Sequence, residues 1–356
     1  MEKKLFKKKL ENIKKWWEGK NKKPIVFFAI DEEKQERKNL NLLWKNENTE
    51  PNFEEFVDWQ IQNLKGIYFL GESYPILSHS WGSRGTPMTM ASYLGGKVFF
   101  REQTVWVDKT IDNWERFNIE FNPENYWVKK SKELMEKQIK KIDENMLIAM
   151  PDLGDALTCF SLLRGVENLL FDIIEQQEII LEKIKEFTDA WKKAHHYFYG
   201  IYKEKFPGDC SWLIWAPGKT NACQCDFSTM ISPKLFEKFI VFELEQIKEY
   251  LDYIVWHLDG PDEIKHVDML LALPYIKAIQ IVPGAGKPPC ASSLWLPIIK
   301  KITERGKNVI VYANSKEEVK TLINSAPKEK MAISLLEMQV KNRQQAEKII
   351  EWINSL

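Results

Sequence analysis

The stretch IVWHLDGPDEIKHVD (residues 254–268) passes from an apolar run through His257 and Asp259 to a Gly-Pro turn and the start of a helical pattern. An apolar run followed by a turn and a helix is typical of a buried strand in a parallel sheet. Residues two apart on a strand point to the same face, so His257 and Asp259 are predicted to reach one cavity. The alternative is structural: Asp259 would cap the following helix, and His257 would bond to the backbone.

Similar apolar runs recur along the chain and are separated by long segments of helical period, such as residues 232–251, which begin with a Ser-Pro pair suited to a helix start. Alternating runs of this kind predict β/α units around a parallel sheet. The predicted strands cover residues 24–30, 66–72, 146–150, 212–216, 253–258, 278–282, 309–313 and 332–336. Eight such strands favour a single (β/α)8 TIM barrel in the α/β class.

Two segments lie outside this alternation. An amphipathic stretch at about residues 1–22 predicts an N-terminal helix, and residues 76–125 predict an insertion near the barrel mouth. Within the insertion, residues 95–108 are rich in β-branched and aromatic side chains, which favours an antiparallel hairpin. Because no repeat or low-complexity linker divides the chain, residues 1–356 are interpreted as one domain.

The composition limits the classes of partner. The 356 residues are 44% hydrophobic, enough for a large core, and contain 51 basic and 51 acidic side chains, so no net field favours nucleic acid. The chain shows no signal peptide and no apolar stretch long enough for a membrane span, so a cytoplasmic protein is expected. Its five cysteines are expected to be free thiols.

Polar residues follow most of the predicted strands, where the chemistry of such barrels is built. His257, Asp259 and Glu337 are the candidate catalytic residues, since an imidazole and carboxylates can exchange protons or bind a metal. The candidate substrate-binding residues stand at or just beyond the strand ends: Asp152, Asp155, Trp215, Lys219, Asp226, Gln280, Tyr312 and Asn314.

A metal centre is a further hypothesis for the same region. The segment NACQCDFSTM (residues 221–230) contains a Cys-x-Cys pair, and Cys225 could join His257 and Asp259 as ligands of a divalent ion, with zinc as the first choice. The alternative is a polar pocket without metal.

Three segments carry a resemblance to a known family: DLGDALTCFSLLRGVENLLFDI (152–173), CDFSTMISPKLFEKFIVFELEQI (225–247) and HLDGPDEIKHVDMLLALPYIKAIQIVPGAG (257–286). They resemble the uroporphyrinogen decarboxylase-like superfamily, in particular its branch of corrinoid-dependent methyltransferases. The resemblance implies a (β/α)8 barrel and, for that branch, transfer of methyl groups between corrinoid proteins and thiols at a zinc ion.

The sequence departs from the family at the functional positions. The decarboxylases carry an arginine-rich motif at the first strand, whereas PIVFFAIDEEKQ (24–35) contains no arginine, so decarboxylation of uroporphyrinogen is not expected. His257 matches the zinc-binding histidine of the methyltransferases, but Asp259 stands in place of a cysteine, and Glu337 stands where another thiol is expected. A harder site for a divalent ion is the corresponding expectation.

Three functions follow from these patterns. The first is a methyltransferase-like enzyme for a small organic substrate, with the methyl donor or acceptor a corrinoid carried by a separate protein and not bound within this chain. The second is a carbohydrate-active hydrolase or lyase that uses paired carboxylates such as Asp259 and Glu337. The third is a barrel that binds a ligand without turnover.

Overall fold

The structure is a computed structural model that describes residues 1–31, 52–79, 90–100, 105–211 and 213–356. Its strands are β1 (Ile25–Asp31), β2 (Ile67–Gly71), β3 (Ile76–Leu77), β4 (Lys97–Phe100), β5 (Val105–Asp108), β6 (Leu147–Ile148), β7 (Asp209–Cys210), β8 (Trp215–Ala216), β9 (Thr220–Cys223), β10 (Tyr253–Asp259), β11 (Ile276–Val282), β12 (Asn308–Tyr312) and β13 (Met331–Ser334). Its α-helices are α1 (Lys3–Trp17), α2 (Phe53–Leu64), α3 (Met90–Tyr93), α4 (Tyr126–Lys141), α5 (Ala156–Arg164), α6 (Val166–Glu175), α7 (Gln177–Tyr202), α8 (Pro233–Phe236), α9 (Phe242–Ile247), α10 (Val267–Ala272), α11 (Leu296–Glu304), α12 (Lys316–Ser325) and α13 (Arg343–Ser355).

The largest sheet joins seven strands in the order β2-β1-β13-β12-β11-β10-β9, and its neighbours are parallel except for the antiparallel pair β1 and β2. Strand β3 pairs in parallel with β6, and β7 pairs antiparallel with β8. Beyond β6, the Met150 N–H donates to the Cys210 carbonyl at 2.7 Å. The predicted α/β architecture with a parallel sheet is therefore confirmed, but the pairing of the described strands does not form a closed ring of eight.

Strands β10, β11 and β12 are consecutive neighbours in this sheet. They are rich in β-branched and aromatic residues, which suit a sheet that is buried on both faces. His257 lies opposite Gln280 in the register, and Gln280 lies opposite Ile310. Because the three strands are parallel, their carboxyl ends lie at one edge, which we call the carboxyl edge.

The prediction that residues 212–216 form a strand of the barrel is wrong. Trp212 lies outside the described residues, and the remainder of the run returns antiparallel to β7 as β8. The strand that enters the large sheet is β9, next to β10. Strand β9 is short and carries Thr220 and Asn221, so apolar periodicity does not predict it. Residues 214–216, which precede it, are apolar and buried but do not pair in the large sheet.

The segment 232–251 is helical but not uniform. Ser232 Oγ accepts the Leu235 N–H at 3.3 Å, as expected for an N-cap followed by Pro233. Helix α8 then continues through a π-helical turn at Glu237–Val241 into α9. Turns of this kind change the face on which the following residues lie and are frequent near functional sites. Here the turn precedes Glu243, whose contacts are described below.

Helix α1, predicted from the N-terminal amphipathic stretch, packs at the amino ends of the strands. The Trp17 indole N–H donates to the Trp215 carbonyl at 3.0 Å, and the Asn308 side chain donates to the Trp16 carbonyl at 2.9 Å. The predicted hairpin at 95–108 is present as the antiparallel pair β4 and β5, with residues 101–104 outside the description. None of the helices in the described ranges combines the length and apolar character that a membrane crossing requires.

We expect Gly71→Ala to lower the free energy of unfolding by about 3 kcal/mol, since the residue has a φ of 55° and an added Cβ would lie 2.2 Å from the Val26 carbonyl oxygen. Gly19 is the matched control, because its φ of 65° is similar but an added Cβ meets nothing within 4 Å. Gly19→Ala should cost about 1 kcal/mol for the backbone conformation alone. Urea denaturation followed by tryptophan fluorescence measures both, and equal losses would contradict the predicted clash.

Candidate functional site

A chain of hydrogen bonds crosses three strands at the carboxyl edge. His257 Nδ1 lies 2.5 Å from Gln280 Oε1, and Gln280 Nε2 donates to the Tyr312 hydroxyl. Because the amide oxygen can only accept, the Nδ1 atom carries a proton, and Nε2 is the imidazole nitrogen that can take up a second one. Gln280 is 1% exposed, and both ends of its amide are hydrogen-bonded. The buried amide therefore fixes the orientation of His257 and of Tyr312 together.

A cavity of about 390 Å³ lies against this chain, with Tyr312 in its wall. It is lined mainly by apolar and aromatic side chains from β1, β2, β12 and the segment before β8, including Phe27, Phe69, Ile310, Leu213 and Ile214. Ser334, the register neighbour of Tyr312, and Ser73, which follows β2, also line it. Volumes of roughly 300–1,000 Å³ with few polar groups are typical of sites for small organic ligands.

Asp152 and Asp226 interact electrostatically with His257, and Asp259 interacts with Asp226. Asp226 and Asp259 are exposed, and Asp152 is half-buried, with its oxygens accepting the Gly154 N–H at 3.1 Å and the Gln224 amide at 3.3 Å. Desolvation, then the neighbouring negative charge, raises the pKa of Asp152 and that of Asp226, while His257 lowers both. We call Asp152, Asp226, Asp259 and His257 the acidic rim. It is a negatively charged region around one imidazole.

Glu263 fixes the end of β10. Its carboxylate accepts the Ser228 hydroxyl at 2.9 Å and the Asp259 N–H at 3.4 Å, and burial raises its pKa to about 8. The short 3-10 helix that follows at Pro261–His266 begins after Gly260 and has no side-chain cap. The structural alternative for Asp259, that it caps this helix, is therefore not what the structure shows.

Asp155 has the capping role instead, at the start of α5. Its carboxylate accepts the Thr158 N–H at 2.9 Å, and both oxygens of Glu243 accept the Ala156 N–H at 3.0 and 3.2 Å. A cavity of about 20 Å³, enough for a water molecule, lies beside the two carboxyls. Burial raises the pKa of Asp155 to about 7, and burial together with the Asp155 charge raises that of Glu243 well above its usual range.

Cys225 belongs to this buried group rather than to the acidic rim. It is fully buried, and desolvation and then the Asp155 charge raise the pKa of its thiol well above the usual value. In the ranges that the structure describes, no group of three or more His, Cys, Asp or Glu side chains is arranged to hold a metal ion. The described residues therefore do not fit the zinc site that the family resemblance implies.

The remaining predicted residues are spread over two ends of the sheet. Asn314 and Glu337 are exposed at the carboxyl edge; the Asn314 N–H donates to Glu318 at 2.8 Å, and the charge of Glu337 contributes to a raised pKa of Tyr312, after burial. Trp215 and Lys219 lie at the amino ends of the sheet strands. The Trp215 carbonyl accepts the indole N–H of Trp17 in α1, and Lys219 directly precedes β9. The Lys219 ammonium lies 4.2 Å from the centre of the Tyr250 ring. The strand-end argument placed these two residues at the wrong edge.

Ser73 and Ser334 were missed by the sequence reasoning. Ser334 interrupts the apolar run AISLL (332–336), and an alternation argument could have found it. Ser73 follows a strand with no recognisable motif, so only the three-dimensional structure brings it to the cavity.

These features place a ligand-sized cavity beside Tyr312, and ionisable groups at the carboxyl edge, of an α/β fold with a largely parallel sheet. Among solved structures, a methyltransferase from Methanosarcina mazei is similar, with a TM-score of 0.61 and 10% sequence identity over 98% of this chain and 98% of that chain. At this identity the similarity establishes the fold. No protein-family model matches the sequence, and no curated protein matches it.

We expect Asp155→Asn to change how stability depends on pH. The folded protein keeps the Asp155 proton to about pH 7, whereas the unfolded chain releases it near pH 4, so this group lowers the free energy of unfolding as the pH rises between the two values. Asparagine keeps the cap without titrating. From about pH 5 to pH 8 the variant should therefore gain about 2 kcal/mol relative to wild type.

Urea denaturation at the two pH values measures this difference. Asp262→Asn, at an exposed position in the short 3-10 helix Pro261–His266, is the matched control and should follow wild type. A variant Asp155→Asn that parallels wild type at both pH values would show that Asp155 is already ionised in the folded protein.

The metal hypothesis predicts one divalent ion per chain in protein that is purified without chelator, and loss of that ion in His257→Ala and in Asp259→Ala. Metal analysis of wild type and of the two variants measures this directly. A metal content well below one ion per chain in wild type, or the same content in all three proteins, would contradict a metal centre at His257 and Asp259.

Proposed function

We propose that the protein is a methyltransferase for a small organic substrate, which binds in the 390 Å³ cavity and exchanges its methyl group with a corrinoid carried by a separate protein. The observation that supports this proposal is the hydrogen-bond chain from His257 through Gln280 to Tyr312, which ends in the wall of the cavity. The similarity to a methyltransferase fold adds support. A carbohydrate gains less support, because an apolar wall offers a sugar few hydrogen-bond partners.

Tyr312 is the residue that contacts the reacting part of the substrate in this proposal. Its oxygen accepts a hydrogen bond from Gln280, so its own O–H is oriented to donate to a substrate heteroatom. When a methyl group leaves that heteroatom, the bonding electron pair remains on it, and a positioned donor stabilises the resulting charge. Burial keeps the Tyr312 pKa raised, so the hydroxyl retains its proton at neutral pH.

His257 and Asp259 act as the acid–base pair of the rim. The Nδ1 bond to Gln280 assigns the exchangeable proton to Nε2, which can give it to or take it from a neighbouring group. Glu337, exposed near Tyr312, adds negative charge to the same edge. These groups exchange protons with the solvent while Tyr312 contacts the buried substrate.

We also propose a location for the partner and a finer architecture. A corrinoid protein would have to dock at the carboxyl edge, where the acidic rim and the cavity wall lie together. The bond from Met150 to the Cys210 carbonyl, between the small sheets, supports a barrel-like arrangement in which β3, β6 and β7 extend the seven-stranded sheet.

We expect Tyr312→Phe to lower kcat for methyl transfer by about tenfold to a hundredfold, because it removes the hydrogen-bond donor and leaves the ring in place. The assay presents methylated neutral compounds to the protein with reduced cobalamin as a stand-in for the corrinoid protein, and follows the absorbance change on methylation. Tyr126→Phe, at a tyrosine that is 51% exposed, is the matched control and should be as active as wild type.

Two results would count against this function. Equal rates for wild type and Tyr312→Phe would remove Tyr312 from the reaction. A folded wild-type protein that accelerates methyl transfer for none of the compounds, with free cobalamin or with purified corrinoid proteins, would contradict the proposed activity itself.

A further inference from the structure

The wall of the 390 Å³ cavity is uncharged over the described residues that line it. Its polar members are Ser73, Tyr74, Tyr312 and Ser334. The Tyr74 oxygen already accepts the Trp215 N–H at 2.9 Å. The oxygen of Tyr312 accepts from Gln280, which leaves its proton for a ligand. The two serines are therefore the polar groups of the wall that remain to be explained.

Both serine hydroxyls are buried without a partner in the described parts of the chain. Ser73 is 4% exposed and Ser334 is 7% exposed, and neither Oγ atom has a hydrogen bond. Most buried hydroxyls in folded proteins are hydrogen-bonded, because an unmet donor costs free energy. Both residues line one cavity, and a serine side chain turns about a single bond, so each hydroxyl can turn toward a molecule in the cavity that offers it a partner.

Rigid elements hold both serines in position. Ser334 ends β13 and pairs in register with Tyr312 on one side and Phe27 on the other. Ser73 is fixed through its backbone: its carbonyl accepts the buried Lys9 ammonium at 2.8 Å, and its N–H donates to the Leu70 carbonyl at 3.1 Å. A site on rigid elements recognises a ligand with little loss of conformational freedom.

The side chains of the cavity wall also determine which charge a ligand can carry. A buried charge requires an opposite charge or several hydrogen bonds, and the described wall supplies no ionised side chain. The nearest ammonium behind it, that of Lys9, is already bound to the carbonyls of Phe69 and Ser73 at 2.8 Å each. An anionic or cationic ligand would therefore lose its hydration without compensation.

We propose that this cavity binds a neutral, predominantly apolar compound with hydrogen-bonding atoms that meet Ser73 and Ser334. The inference rests on the proposed function in one respect: this compound would be the molecule that gives or receives the methyl group. Tyr312 contacts the reacting heteroatom, and the two serines contact the remaining polar atoms and determine specificity.

The test uses prodan, a neutral naphthalene dye with a carbonyl and a tertiary amine, whose emission reports polarity and hydrogen bonding. We expect wild type to bind prodan, and Ser73→Ala and Ser334→Ala each to weaken binding by about fivefold to tenfold through loss of one hydrogen bond. Ser355→Ala, which changes an exposed serine on α13, is the matched control. The alanine variants should keep or exceed the wild-type melting temperature, because they remove an unmet buried hydroxyl.

Competition with a nearly isosteric pair tests the charge. Benzamide should displace prodan at a concentration at least about tenfold lower than benzoate does, since benzoate must bury its charge. Equal competition by the two compounds would overturn the inference of a neutral ligand. Prodan affinities that are unchanged in both serine variants, or no binding of prodan to wild type, would overturn the assignment of the serines.

Binding and turnover separate this inference from the proposed function. Serine-dependent binding of prodan in a protein without methyl-transfer activity would leave the cavity assignment standing and remove the methyltransferase proposal. Methyl transfer that is lowered by Tyr312→Phe but unchanged in rate and in KM by both serine variants would support the methyltransferase proposal and remove the assignment of the serines.

Discussion

A buried amide must have both of its ends hydrogen-bonded, and Gln280 meets this requirement by joining His257 to Tyr312 across three adjacent strands. The parallel register of β10, β11 and β12 makes the arrangement possible, because it brings the three residues to similar heights at the carboxyl edge. If Gln280 lost either partner, a desolvated polar group would remain in the core, at a cost of about 1–3 kcal/mol. The same two hydrogen bonds of Gln280 thus join these three strands and orient the side chains of His257 and Tyr312.

The sequence predicts the parts of the fold that depend on apolar periodicity. β10, β11 and β12 are long enough and sufficiently rich in β-branched residues to be recognised, and the polar residues at their ends are recognised with them. Apolar periodicity predicts the wrong strand between residues 209 and 223, because the buried apolar residues there are not the residues that pair in the large sheet. There the apolar run turns back as β8, and the more polar β9 enters the sheet. The sequence therefore predicts correctly that Gln280 and Tyr312 lie at the carboxyl edge. It wrongly predicts that edge for Trp215 and Lys219, which lie at the amino ends of the strands.

The buried acidic group shows a second limit of sequence reasoning. Asp155, Cys225 and Glu243 are far apart in sequence, and a Cys-x-Cys pair near a histidine suggests a metal. In the structure, burial raises the pKa of all three groups, and Asp155 and Glu243 serve the first turn of α5. Desolvation depends on the whole packed neighbourhood, so no local spacing can predict it. Cys225 is therefore part of a buried acidic group beside the start of α5.

The site divides into an acidic rim and an uncharged cavity, and Gln280 and Tyr312, which join His257 to the cavity, carry no charge. This division has an electrostatic reason. A charge in the cavity would interact with the rim carboxylates through a medium of low polarity, where screening is weak, and a negative ligand would be repelled as well as desolvated. A neutral ligand avoids both costs. In the proposed reaction, charge develops in the cavity only during methyl transfer. Tyr312, which keeps its proton because it is buried, can donate a hydrogen bond to that charge without introducing a permanent charge into the cavity.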